Sequence, residues 1–214
     1  MSEPPNPKKS RDGAVAAWNK GAAAWNAWRE QNPDIKQPTF KGANLSGRDL
    51  QGYNLSGANL IETDLTHANL SGANLSQSGL IRANLSGATL VEANLRKADL
   101  TEAKLHKANL EYARIDAARL EKANLVDARL THAHLPSAYL REAILSNCTC
   151  SRAIFHNVDA LKADFSDASI SASDLSDAKL SEANLQGTSF FESNLSGANL
   201  SHANLTNADF TRPF

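Results

Sequence analysis

The sequence predicts an all-β solenoid: a parallel coil of square cross-section, about nine 20-residue turns long, closed at its N-terminal end by one α-helix. Three observations carry this. Every fifth residue from Phe40 to Phe210 is apolar without a slip of register, 35 positions in all with Leu at 26. Two residues before each stands a small one, Ala at 25 of the 34 sites from Ala43 to Ala208. Asn or Asp lies between the two at 20 of 34. The unit reads A-(N/D)-L-x-x, as in Ala43-Asn44-Leu45-Ser46-Gly47 and Ala198-Asn199-Leu200-Ser201-His202.

A period of five belongs to neither helix nor strand. On an α-helix such positions step about 140° around the axis and bury no continuous stripe. On a flat strand they alternate between faces. They share one inner surface only if the backbone turns a corner once per unit. Four corners close a square, and coils then stack at the inter-strand spacing of about 4.8 Å, giving a rod about 40 Å long. Asn, Asp, Ser and Gly suit the corners because they satisfy local backbone groups or accept positive φ.

An independent column supports 20 residues per coil. Glu62, Arg82, Glu102, Lys122, Glu142, Lys162, Glu182 and His202 recur at that interval and alternate in sign with His202 taken as basic. Stacked coils would bring them into one ladder.

Over roughly residues 38–212 this unit resembles the pentapeptide-repeat family. The resemblance implies a right-handed quadrilateral β-helix. A bacterial type of protein is expected; with no secretory signal or membrane span it reads as cytoplasmic, and with no chemical motif as non-enzymatic and without cofactor. Some family members mimic duplex DNA and act on type II topoisomerases, and dimers through C-terminal coils are known.

The segments divide as follows. Residues 1–11, rich in Pro, Ser and Lys, read as a disordered tail with no secretory signal. Residues 12–37 read as a capping helix and linker: Asp12 is the candidate N-cap, Val15, Trp18, Ala22, Trp25 and Trp28 follow helical spacing to Gln31, and Pro33 stops it. All three Trp of the chain lie here, and their expected role is to shield the first coil. Arg48 and Tyr53, at small-residue sites, are expected to rise to meet the helix. Residues 38–214 form the repeat. At its far end Phe190, Phe191, Phe210 and Phe214 suggest either self-association or a plug made by Pro213-Phe214.

Composition bounds function. The net charge is −1 over 214 residues, and no apolar run reaches a membrane span. Residues 96–152 hold ten Lys or Arg against seven Asp or Glu, whereas 159–209 hold eight acids against Lys162 and Lys179. Cys148 and Cys150 take inward positions as small hydrophobes. His67, His106, His132, His134, His156 and His202 fall on outward slots without a ligand set for metal. No phosphate loop or nucleophile motif is present.

The expected function is therefore a protein-interaction scaffold, non-enzymatic and without cofactor, for an unknown protein partner. Its candidate surface is Arg96, Lys97, Lys104, Lys107, Arg114, Arg119 and Arg129. A homodimer through the C-terminal coils is a second expectation. The alternative is DNA mimicry toward a type II topoisomerase through Asp159, Asp164, Asp167, Asp174, Asp177, Glu182, Glu192 and Asp209. The near-zero net charge opposes that reading. Direct nucleic-acid binding is disfavoured because Glu102, Glu111, Glu121 and Glu142 interrupt the basic region.

Overall fold

The computed structural model describes residues 13–212. Asp12, Phe214 and the N-terminal tail lie outside them. From Thr39 onward the chain makes one parallel bridge per five residues, always to the residue 20 further on: Thr39 to Asn59, Asn44 to Asp64, Asp49 to Asn69, Asn54 to Asn74, and so to Ser189 and Asp209. Four walls result. The first carries the column Thr39 to Asn199, the second Asn44 to Asn204, the third Asp49 to Asp209, the fourth Asn54 to Asn194.

Each unit closes a tight turn in which the small residue donates back to the apolar residue before it, as Ala43 N does to the Phe40 carbonyl (2.9 Å), except at Ser173, whose N–H goes to Ser193 Oγ (3.2 Å). The third turn residue always has positive φ, from Gly42 to Arg212. Positive φ there alone marks a type II turn. Only eight of these 35 corners are glycine; 27 other residues hold φ between 52° and 60°. None of the 27 is Val, Ile or Thr, the side chains least able to adopt this region. Pro136 stands at the second turn position, where its fixed φ is favourable.

The wall Asn and Asp residues have a defined task. Their Oδ1 accepts the N–H of the residue two further on, as in Asn44 to Ser46 (3.0 Å), Asp64 to Thr66 (3.0 Å) and Asn194 to Ser196 (3.0 Å). That N–H faces outward and meets no neighbouring coil. The remaining wall N–H groups bond between coils, as Leu45 N to Asp64 O (2.7 Å) and Asp64 N to Ala43 O (2.9 Å). So a corner that follows an Asn or Asp is held by that side chain, and the walls are held by neighbouring coils.

The bore is packed solid. From Leu45 to Phe190 every residue at the Leu position is 2 % exposed or less. Buried hydroxyls that replace Ala are satisfied by carbonyls one coil away or in the turn: Thr63 on Phe40, Ser78 on Leu75, Thr188 on Phe165, Ser193 on Ile170. At Val158-Asp159-Ala160 large and small residues exchange places. Val158 and Ala160 are both buried, and Phe155 and Phe165 on either side fill the volume that Ala160 leaves, their rings edge to face at 6.1 Å.

The N-terminal element differs from the single helix expected. It is a pair, α1 (Ala14–Asn19) and α2 (Ala22–Gln31), with Gly13 in the N-cap place of α1. Gly21 separates them at φ 97° and ψ −178°, a conformation essentially confined to glycine. The break matters for packing. On a straight helix Trp18 and Trp25 would stand about 10 Å apart along the axis; here their rings meet edge to face at 5.2 Å. Both are buried over Phe40, while Trp28 stacks on Trp25 and stays partly exposed. The helix also imitates a preceding coil for the fourth wall. Asn26 accepts from Asn54 N and donates to Gly52 O, Trp25 Nε1 donates to Asn54 O, and Arg29 donates to Ser56 O. Tyr53 meets the helix as expected, its hydroxyl donating to Trp18 O at 3.1 Å. Arg48 does not: it stays exposed.

At Ala172, a left-handed corner with no side-chain role (φ 56°), Ala172→Gly should stabilise by about 0.5–1 kcal/mol and Ala172→Val should destabilise by more. Thermal or denaturant unfolding of the two variants checks both signs.

Candidate interaction surface

A wall presents two outward residues per coil, the Asn/Asp-site residue and the one after the Leu, with the left-handed residue at the corner. This geometry distributes the seven basic residues expected to form a surface. Arg119 lies on the first wall, Lys104 on the second, Arg129 on the third and Arg114 on the fourth. Arg96 and Lys97 occupy the corner after the fourth wall, Lys107 the corner after the second. They form a belt around the rod, not one face.

Three of the seven are neutralised within the chain. Arg96 pairs with Asp116 (3.1 Å), Arg119 with Glu121 (3.4 Å) and Asp99 (3.7 Å), Arg129 with Glu111 (2.7 Å). Burial alone would raise the Asp116 carboxyl, but the hydrogen bond and charge of Arg96 outweigh it and hold it below its ordinary value. Lys97, Lys104, Lys107 and Arg114 make no ion pair among the described residues. The alternating corner column closes at Glu62–Arg82 (2.6 Å), Lys122–Glu142 (3.7 Å) and Lys162–Glu182 (3.4 Å), and its other steps stay open.

One wall gathers aromatic and basic groups. At the corner before the fourth wall, Tyr112 and His132 stack face to face at 4.8 Å, and Tyr112 is 52 % exposed. Arg152 follows one coil on. Beside them the fourth-wall column runs Arg114, His134, Ile154. No carboxylate stands in either column between Tyr112 and Arg152 or between Arg114 and Ile154. The candidate surface read from the sequence left out Tyr112, His132 and Arg152; applying the 20-residue spacing to them would have found the stack.

The rod offers little concavity. An open groove of about 470 Å³ runs past Ser76, Asn94, Arg96, Lys97, Asp116 and Ala117. A smaller one of about 260 Å³ lies beside Gly79, Asn59 and Asp99. Cys148 and Cys150 are free and buried, their Sγ atoms 2.8 Å apart, and burial pushes the Cys150 thiol well up. Among the described residues no three His, Cys, Asp or Glu side chains gather to hold a metal, and no helix is long and apolar enough to cross a membrane.

The aromatic end residues separate. Phe190 is buried inside the bore beneath Phe210, stacked at 5.0 Å, so it cannot itself form a contact surface. Phe191 lies outside on the third-wall side, with the Arg212 guanidinium 5.9 Å from its centroid. Among the described residues the C-terminal end of the bore is made instead by Leu195, Leu200, Leu205 and Phe210, all partly exposed. The N–H groups of the three leucines meet no carbonyl among the described residues.

In the acidic coils Glu182 is paired with Lys162, Glu192 with Arg212 (3.7 Å) and Asp159 with Arg141 (2.7 Å). Asp159 is nearly buried under the Arg141 side chain. Burial would raise its carboxyl; the hydrogen bond and charge of Arg141 overcome this and leave it below the ordinary value. A depressed carboxyl stabilises the fold above its unfolded value, near pH 4, and that contribution is lost as pH falls through the folded value. Arg141→Gln should therefore move the acid-unfolding midpoint to higher pH, by circular dichroism; coincident acid curves would contradict the assignment.

A family model for pentapeptide repeats matches this chain in eight copies, over residues 40–77, 80–115, 113–149, 137–171 and 173–212. Among solved structures, QnrB1, described as a plasmid-mediated fluoroquinolone resistance protein, superposes with a TM-score of 0.73 at 17 % identity over 83 % of this chain and 90 % of that one. At that identity the likeness shows the fold alone. HetL, a pentapeptide-repeat protein involved in heterocyst differentiation regulation in the cyanobacterium Nostoc sp. strain PCC 7120, is 29 % identical over 84 % of this chain and 92 % of that one, with a TM-score of 0.41. The Nostoc PCC 7120 protein alr5209 is 35 % identical over 48 % of this chain and 69 % of that one, with a TM-score of 0.22. Among curated proteins none matches. The five-residue unit, its left-handed corners and the family match agree: the chain belongs to the pentapeptide-repeat family and folds as its right-handed quadrilateral β-helix.

Proposed function

We propose that the chain is a protein-binding rod that performs no chemistry of its own and holds an acidic protein partner on the fourth wall. One observation carries this reading: Tyr112, His132 and Arg152 at the corner and Arg114, His134 and Ile154 on the wall stand together with no carboxylate in either column, and the nearest acid on this wall, Asp116, is held by Arg96. Tyr and Arg are the residues that most often anchor interfaces, and unpaired cations select an acidic surface and speed its capture. The filled bore and open grooves suit a docking surface better than an enclosed reaction site. The partly exposed Leu195, Leu200 and Leu205 of the last coil support end-to-end pairing with a second copy, though not through the buried Phe190.

Mimicry of duplex DNA toward a type II topoisomerase has less support. Asp159, Glu182 and Glu192 each carry a cation of the same chain, so the acidic coils present fewer free charges than the sequence suggests.

Arg114→Glu with Arg152→Glu should leave the thermal midpoint almost unchanged, because both side chains are exposed. In affinity capture from a cell extract at low salt, proteins retained by the wild type should be lost with this double variant. Identical capture by both would refute the fourth wall as the binding surface.

A further inference from the structure

The second wall is self-complementary. The geometry points to a second copy of this chain packing antiparallel against it, with the two-fold axis in the interface between the fifth and sixth coils, counting the first from Thr39. Such an axis keeps each column opposite itself and reverses its order. On the corner shared with the first wall it sets Glu62 against His202, Arg82 against Glu182, Glu102 against Lys162 and Lys122 against Glu142. On the wall column it sets Lys104 against Asp164. On the far corner it sets Lys107 against Asp167. No like charges meet anywhere on this wall.

The register has independent sources. The alternating corner accepts only an axis midway between coils, since an axis at a coil would oppose like charges. Lys104 with Asp164, and separately Lys107 with Asp167, both select the same midpoint. In that register the first wall opposes Asp99 to Asp159, and the fourth opposes Glu92 to Glu192. The groups are also available: among the described residues Lys104, Lys107 and Asp167 make no ion pair, and the Asp164 carboxylate accepts from Asn184 and from the turn N–H of Ser166. Ile144, 39 % exposed, stands next to the axis opposite Asn124, with Val126 on the adjoining column.

Size decides the strength. A wall about 40 Å tall and about 10 Å wide covers about 400 Å² per copy, below a standard stable interface. The pairing should be weak and should weaken further with salt.

Sedimentation equilibrium over a wide concentration range tests this. The wild type should self-associate at low ionic strength and dissociate at high ionic strength. Lys104→Asp with Lys107→Asp should weaken association at least about 10-fold, as should Asp164→Lys with Asp167→Lys. Each substituted type already stands in the same column of another coil, at Asp64, Asp127, Lys104 and Lys107, so the fold should survive. An equimolar mixture of the two variants should associate again, because each supplies the charge its partner lost. A wild type that stays monomeric at low salt would overturn the proposal. So would association unaffected by either variant, as end-to-end pairing would give, or a mixture that fails to recover.

Discussion

The left-handed corner residue is the constraint on which everything else rests. A single residue at positive φ in every five turns the chain onto the next wall, and four such turns return it above its starting point. Only then do residues 20 apart become neighbours, apolar positions converge on one bore, and backbone groups find partners in the coil above and below. For residues other than glycine the conformation is unfavourable by about 1–2 kcal/mol each in isolation. Inter-coil hydrogen bonds, turn closure and, where Asn or Asp fills the wall site, the Asx contacts must outweigh this along the whole rod. β-Branched residues are absent from these corners for the same reason, although Ile, Val and Thr are common one position earlier, as at Ile61, Val91 and Thr131.

Much of the fold was legible because one unit is written out so many times. The inward Leu and Ala positions and the coil length follow from spacing alone, and the end of α2 at Gln31 from Pro33 just beyond it. The split at Gly21 was not legible, because the helical spacing of Trp18, Ala22 and Trp25 continues across it. What separates the helices is the need to bring two indoles over one narrow bore, a tertiary demand that local pattern does not contain. The role of the wall Asn and Asp was read only loosely. They serve the corner, yet they sit on the wall and reach forward two residues to the turn N–H.

The surface was less legible than the core, and the reason is geometric. Charge counted along the chain averages over four walls, so a basic stretch became a belt in space. Ion pairs then removed Arg96, Arg119 and Arg129 from it, through partners that in most cases lie a whole coil away. The informative interval for the surface is 20, not five. Read at that interval, Tyr112 joins His132 on one side of the rod, while on the opposite wall Lys104 and Lys107 find their mirror in Asp164 and Asp167. A rod of this kind can present different chemistry on opposite walls without altering its core.

The most direct measurement is the backbone φ at the non-glycine corners, read from the intraresidue amide-to-Hα nuclear Overhauser effect in labelled protein. Strong cross-peaks at Glu62, Lys107, Tyr112, Ala117, Glu142 and Asp177, with weak ones at the Leu positions between them, are what a left-handed corner in every unit requires. Weak cross-peaks at those six residues, as ordinary negative φ would give, would contradict the square coil and every wall assignment built on it.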